Sequence, residues 1–373
     1  MQARALDRPQ QEPMTGESVV ELCNLAATGL VAMLDPERQL FCYTYARTEG
    51  GMKRQGLSHR YTMMTLLGLR RYETAGQSSP IEIAPVLDAL LSDLSWVESA
   101  GDLGLLLWTC AELAPELLPE IYRKAGAVDA LERFPDGRLG STMEVAWYLT
   151  GLATCVIAGH DELPGLAEQL VAARRILDGN RGRSGIYGHR SRGAWLDGYV
   201  RGRVGSFADQ VYPTIAFARL SRALKDDAAR QTALQTAQRI CSLQGPRGEW
   251  CWQYDSASGR VVSRYPVYSV HQHAMGPMML FEAGEACGCD FAGPVQRGLA
   301  WISGNNEIGR DFIEPTLGLV WRSIYLKKVN AYADAALRFS RLRSGTASDL
   351  NICFECRPYE LGWLLYAFAG RKQ

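Results

Sequence analysis

Two histidines stand one residue apart in SVHQHAMGP, at His271 and His273, in a chain that holds only 5 histidines. Histidine is the side chain whose ordinary pKa lies nearest neutrality, which makes it the first choice for moving protons. In an extended lead-in both rings would point the same way; in a helix they diverge and only one could face a cavity. The surrounding stretch, Gln244 to Pro277, also carries Trp250, Trp252, Tyr254, Tyr265 and Tyr268. Aromatic faces flanked by a few placed polar groups are how small-ligand pockets are built. No carboxylate lies at helical ligand spacing from the histidines, so no metal site is assigned and no cofactor is expected.

Other residues able to do chemistry fall at the starts of apolar stretches. They are Arg60 and Tyr61; Asp102; Glu144, with Trp147 just inside; Asp209, Gln210 and Tyr212; Gln272, between the two histidines; and Arg357 with Glu360. Two carboxylates across a cleft suit glycoside hydrolysis. A base, an acid and a charge-neutralising arginine suit proton abstraction beside a carboxylate, and there Tyr212, His271 and His273 fit better. Arginine forks match carboxylate, sulfate or phosphate, which makes Arg60 and Arg357 candidates for an anionic substrate group; Arg201, Arg203 and Arg264 lie in loops ahead of such starts. Each acid also has a structural reading. Ser141 and Glu144 form an S-x-x-E capping box, and Asp102 and Asp209 read equally as N-caps, with Ser206 available as a cap beside Asp209.

The elements that position these groups are helical. Residues 18–34, 81–95, 164–177 and 228–244 carry apolar residues on one helical face, the mark of an outer layer. Residues 60–73, 102–114, 142–159, 208–224, 273–288 and 359–370 are apolar nearly all round, which requires burial on both sides. Alternating outer and buried helices at widening intervals predict six helical hairpins. The expected fold is an all-α (α/α)6 toroid with short β-hairpin insertions, and an open solenoid is the alternative. The inner-helix N-termini would open on one face, where free N–H groups favour anions.

Gln244, Gly248 and Trp250 form a Q-x-x-x-G-x-W at the end of an outer helix, and Leu299–Ile302 supplies a second partial match. This pattern resembles the repeats of the terpenoid cyclase and prenyltransferase toroids. GEWCWQYD and its return, GRVVSRYPVY, look like the saccharide-facing hairpins of (α/α) toroid glycosidases, lyases and epimerases. Both resemblances imply the toroid.

Composition narrows the partners. Lys+Arg and Asp+Glu both number 40, which argues against nucleic acid as the main partner. No apolar run approaches the length of a membrane helix. Residues 1–15 are expected to be a disordered tail and 16–373 one toroid domain; without an apolar signal core the expected location is cytoplasmic. Cys287/Cys289 and Cys353/Cys356 read as free or structural thiols rather than a zinc set. No D-x-D-D, no D-D-x-x-D at a helix start, no P-loop and no G-x-S-x-G occurs. The expected function is an enzyme acting on a small-molecule or oligosaccharide substrate bearing an anionic, uronic-acid-like group. It would work by acid/base chemistry as a hydrolase, lyase or epimerase, with the aromatics Trp147, Trp250, Trp252, Tyr254 and Tyr268 as sugar platforms. The alternatives are a terpenoid-type cyclase using those faces to stabilise cations, and a non-catalytic binding toroid.

Overall fold

The computed structural model describes residues 14–134, 140–190, 202–327 and 347–371. Most of the expected tail therefore lies outside the described residues, as does Arg201; at its end, Thr15 caps the first helix. In chain order the helices are α1 (Gly16–Val31), α2 (His59–Thr74), α3 (Ile83–Ser92), α4 (Ala100–Leu113), α5 (Leu118–Lys124), α6 (Ala130–Arg133), α7 (Thr142–Ile157) and α8 (Leu166–Asn180). There follow α9 (Ala208–Leu224), α10 (Asp227–Cys241), α11 (Gly276–Cys287), α12 (Ala292–Ile302) and α13 (Pro358–Phe368).

The helices that are apolar all round form an inner ring. Around it α2 packs on α4, α4 on α7, α7 on α9, α9 on α11 and α11 on α13; α13 returns to α2 and closes the circle. Each inner helix has an amphipathic partner outside it: α3 on α2, α5 on α4, α8 on α7, α10 on α9, α12 on α11, and α1 on α13. This is the (α/α)6 toroid, and the closed circle excludes the open solenoid. Glycines set the tightest contacts. A Cβ on Gly68 of α2 would lie 2.0 Å from the Gly362 carbonyl of α13, and one on Gly104 of α4 would lie 2.3 Å from Tyr148 Cα of α7.

Contacts between helices that are not ring neighbours mark the axis. Trp108 of α4 stacks on Trp363 of α13 at 5.3 Å, and Trp363 Nε1 donates to Tyr212 Oη of α9 at 3.0 Å. Lower down, the fully buried Arg219 of α9 joins the rest of the ring. It donates to Thr154 of α7 and Glu282 of α11, meets Glu112 of α4, and reaches Tyr366 of α13, which also takes a bond from Arg71 of α2. A buried charge is tolerated only with such partners. Burial pushes the Glu282 carboxyl up, but Arg219, Arg222 and Arg71 outweigh it and hold the group at about 2. The axis is thus floored by aromatics and plugged by a polar knot at the C-terminal ends of the inner helices.

The short strands gather at the other end. The hairpin Leu40–Thr48/Gly51–Leu57 precedes α2, Val204–Ser206 precedes α9, and Glu355–Cys356 precedes α13 and pairs with Leu40–Thr48. The hairpin expected from GEWCWQYD and its return pairs Gln253–Asp255 with Arg260–Ser263. The expected extended lead-in ends sooner than His271: Val267–Tyr268 is a strand, and His271–Met275 is a π-helical turn running into α11. Both histidines are buried there.

Candidate active site

Four of the inner helices, α4, α7, α9 and α13, carry a carboxylate that caps their N-terminus. Ser99 and Asp102, then Ser141 and Glu144, bond reciprocally as capping boxes, and at α13 half of the arrangement is present, the Arg357 amide donating to Glu360 Oε2 at 3.3 Å. Ser206 and Asp209 bond reciprocally as well, with Asp209 Oδ2 accepting from the Ser206 amide at 2.8 Å and the Asp209 amide donating to Ser206 Oγ at 3.2 Å. Asp102 and Asp209 are thus the third residues of capping boxes and not N-caps. Each carboxylate satisfies the free N–H groups that open a helix.

Capping uses only part of each carboxylate, and the remainder ties neighbouring helices together. Arg60 Nε donates to Asp102 Oδ1 at 2.5 Å, while its Nη2 reaches Ser99 Oγ at 3.1 Å and Glu144 Oε1 at 3.2 Å. The same guanidinium lies 5.6 Å above the Trp147 ring. Arg60, expected as a substrate-anion ligand, therefore ties three helices together. Glu360, buried, accepts from Arg322, which also pairs with Glu355 at 2.9 Å and stacks over Tyr268 at 5.0 Å. Burial pushes the Glu360 carboxyl up against the pull of Arg322.

The constellation with proton-transfer geometry lies between α7 and α9. Asp209 Oδ2 is 3.0 Å from His189 Nδ1, and Oδ1 accepts the Met143 amide at 3.2 Å. The Asp209 side chain is 1% exposed and the His189 side chain 40% exposed. A buried carboxylate on one ring nitrogen fixes the tautomer and orientation of the imidazole. Next to Met143 stands Glu144, at 21% exposure the most open of the four helix-start carboxylates.

Aromatic walls complete the mouth. Tyr43 stacks on Tyr61 at 5.3 Å and Tyr61 meets Tyr359 at 4.6 Å; Trp252 packs on Tyr268 at 5.1 Å and parallel to His271 at 6.3 Å. Trp147 is nearly buried, its edge against Tyr212 and its Nε1 without a partner.

Several expected site residues are occupied elsewhere. Gln210 bonds both backbone groups of Tyr187, and Gln272 accepts the Trp250 amide while donating to the Tyr268 carbonyl, so these two amides tie down backbone ahead of their helices. Trp250 is enclosed against Phe207, and Tyr254 is enclosed in its small sheet, so neither forms a rim. Tyr212 is buried under Trp363, and burial raises its phenol pKa. Burial holds His271 and His273 at about 3, and neither His273 nitrogen has a partner. They are neutral core groups, unlike the exposed His189. Gln244 bonds the Gly248 and Pro294 carbonyls and takes two bonds from Arg297, so the Q-x-x-x-G-x-W acts as a staple between α10 and α12. Arg203 and Arg264 pair with Asp255 and Glu249.

His189, Tyr43 and Arg322 belong to the mouth without having been expected there. His189 stands in a loop with no periodic pattern, and only the rarity of histidine points to it. Tyr43 alternates with Tyr45 and Arg47 in FCYTYART, a strand signal. The cysteines are free thiols, and no group of three or more His, Cys, Asp or Glu side chains able to hold a metal occurs among the described residues. A separate cavity of about 280 Å³ opens at the far end of α11, lined by Phe281, Glu285, Cys289 and Arg371 among others. No helix among the described residues is long and apolar enough to cross a membrane.

No family model matches the chain, and no curated protein matches it in sequence. Solved structures match along nearly the whole length. A cellobiose 2-epimerase from Bacillus thermoamylovorans superposes with a TM-score of 0.64 at 11% identity, covering 95% of this chain and 99% of its own. A possible GH105 member from Klebsiella pneumoniae gives 0.63 at 12% identity, covering 99% and 98%. An unsaturated glucuronyl hydrolase from Streptococcus agalactiae, complexed with dGlcA-GalNAc6S, gives 0.57 at 13% identity, covering 96% and 92%. At such identities the likeness is one of fold, and the fold these structures share with the chain is the (α/α)6 toroid.

Proposed function

We propose that the protein is an enzyme acting on a saccharide that bears an acidic group, by acid/base chemistry at the N-terminal mouth of the toroid. The observation that carries this reading is the Asp209–His189 pair beside Glu144: a buried carboxylate on an exposed imidazole, with a second, accessible carboxylate on the adjoining helix start. With Nδ1 on Asp209, proton exchange runs through Nε2. Glu144 serves as the partner acid or base, and Arg60 orients it. Asp209 acts through the imidazole as a positioning residue. Tyr61, Trp252 and Tyr268 offer faces for sugar rings. That GH105, glucuronyl hydrolase and epimerase structures share the fold supports a saccharide substrate. The cyclase alternative counts on Trp147, Trp250, Trp252 and Tyr254 as cation-stabilising faces, and two of these, Trp250 and Tyr254, are enclosed by protein.

The test is a panel of uronic-acid oligosaccharides, saturated and unsaturated, assayed for cleavage and epimerisation with the wild type and with Glu144→Gln, His189→Ala and Asp209→Asn. On an active substrate, His189→Ala and Glu144→Gln lower kcat about 10²–10⁴-fold, the usual worth of a general acid or base. Absence of turnover and of binding across the panel sinks the reading.

A further inference from the structure

The mouth arginines are not equivalent. Arg60 is committed to Asp102, Ser99 and Glu144, and Arg322 to Glu355 and Glu360. Arg357 is bonded differently. Its Nη1 donates to Tyr43 Oη at 3.1 Å and Tyr61 Oη at 2.9 Å, and its Nη2 lies 3.5 Å from Glu355, an acid already shared with Arg322. Its Nε is buried and without a partner. Because both phenol oxygens accept from Arg357, each phenol proton remains available for donation. Two O–H donors therefore stand on the Arg357 guanidinium, and among the described residues neither is given to an acceptor. Stacking of Tyr43 on Tyr61, and of Tyr61 on Tyr359, fixes the rings, and Tyr43 is 46% exposed, so the place is open to solution.

We infer that Arg357, Tyr43 and Tyr61 form a cradle for the oxyanion of the substrate, a carboxylate or a sulfate ester, which rests on the saccharide reading above. Two hydroxyl donors on a guanidinium suit an oxyanion, with Glu355 held on the far Nη2 edge by Arg322 as well. The cradle lies at the junction of α13 and α2, whereas the His189 pair lies between α7 and α9. A substrate anchored at one side of the ring would thus present its reacting carbon toward the other.

The experiment titrates glucuronate and inorganic sulfate into the wild type, the double variant Tyr43→Phe/Tyr61→Phe and Arg357→Lys, each checked for native circular dichroism. In parallel, binding of a uronate oligosaccharide is compared with that of its carboxyl-reduced form. The inference expects the wild type to bind at least one probe and the variants to bind it about tenfold more weakly, the worth of charge-assisted hydrogen bonds. The charged-over-neutral preference should shrink with it. Tighter glucuronate assigns the cradle to a carboxylate, and tighter sulfate to a sulfate ester. Charged-over-neutral preference that survives in the variants overturns the cradle and leaves the saccharide reading standing. Probe binding lost in the variants, with no saccharide bound or turned over, does the reverse. Binding of neither probe nor charged saccharide by the wild type overturns the cradle.

Discussion

At the residue scale, chain distance misleads about which histidine does what. His271 and His273 are conspicuous because they are adjacent, yet they sit in the core, where burial holds both near 3. His189 lies in an unpatterned loop, and only folding brings it onto Asp209. The buried pair should make stability depend on pH. Each ring is neutral in the folded protein and takes up a proton on unfolding below its ordinary 6.5. Stability is thus unaffected by these groups above 6.5 and falls as pH drops from there toward 3. At pH 5 the cost is about 2 kcal/mol for each ring. Urea unfolding at pH 7.5 and pH 5 measures it, and His273→Leu should remove about half of the loss. An unchanged loss in that variant would place the titration elsewhere.

At the element scale, the helices and their inner or outer placement were legible. The expected 60–73, 142–159 and 208–224 become His59–Thr74, Thr142–Ile157 and Ala208–Leu224 because apolarity on every face leaves a helix nowhere to go but the inner ring. The capping boxes were legible at Ser141 and Glu144, and Ser99 and Asp102 repeat that spacing. The strands Leu40–Thr48 and Gly51–Leu57 were not, since a hairpin with one exposed edge carries only weak alternation. With them went Tyr43. Glycine positions inside helices take their meaning from the partner helix, which sequence spacing does not supply. Gly68→Ala would drive a methyl into the Gly362 backbone and should destabilise the protein by about 1–3 kcal/mol, read as a lower urea midpoint. An unchanged midpoint would mean that α2 and α13 can separate freely.

At the scale of the whole molecule, the axis carries the proposed site at one end and closure at the other. Arg219 is the point where α4, α7, α11 and α13 meet α9, and it is buried with Glu282. Arg219→Met should cost about 3–5 kcal/mol, because it breaks a buried ion pair and leaves Glu282 only the partly exposed Arg222 as a direct partner. Arg219→Met/Glu282→Leu should recover part of that in thermal unfolding; a double variant no better than the single would show that the charge pair is not the cause. The ring's closure also bears on synthesis. Residues 59–74 are made roughly 300 positions before their neighbour in the circle, Pro358–Phe368. Until that segment emerges, α2 lacks one flank, and Tyr61 lacks Arg357 and Tyr359. Between those two points of synthesis the inner face of α2 is short of one packing partner.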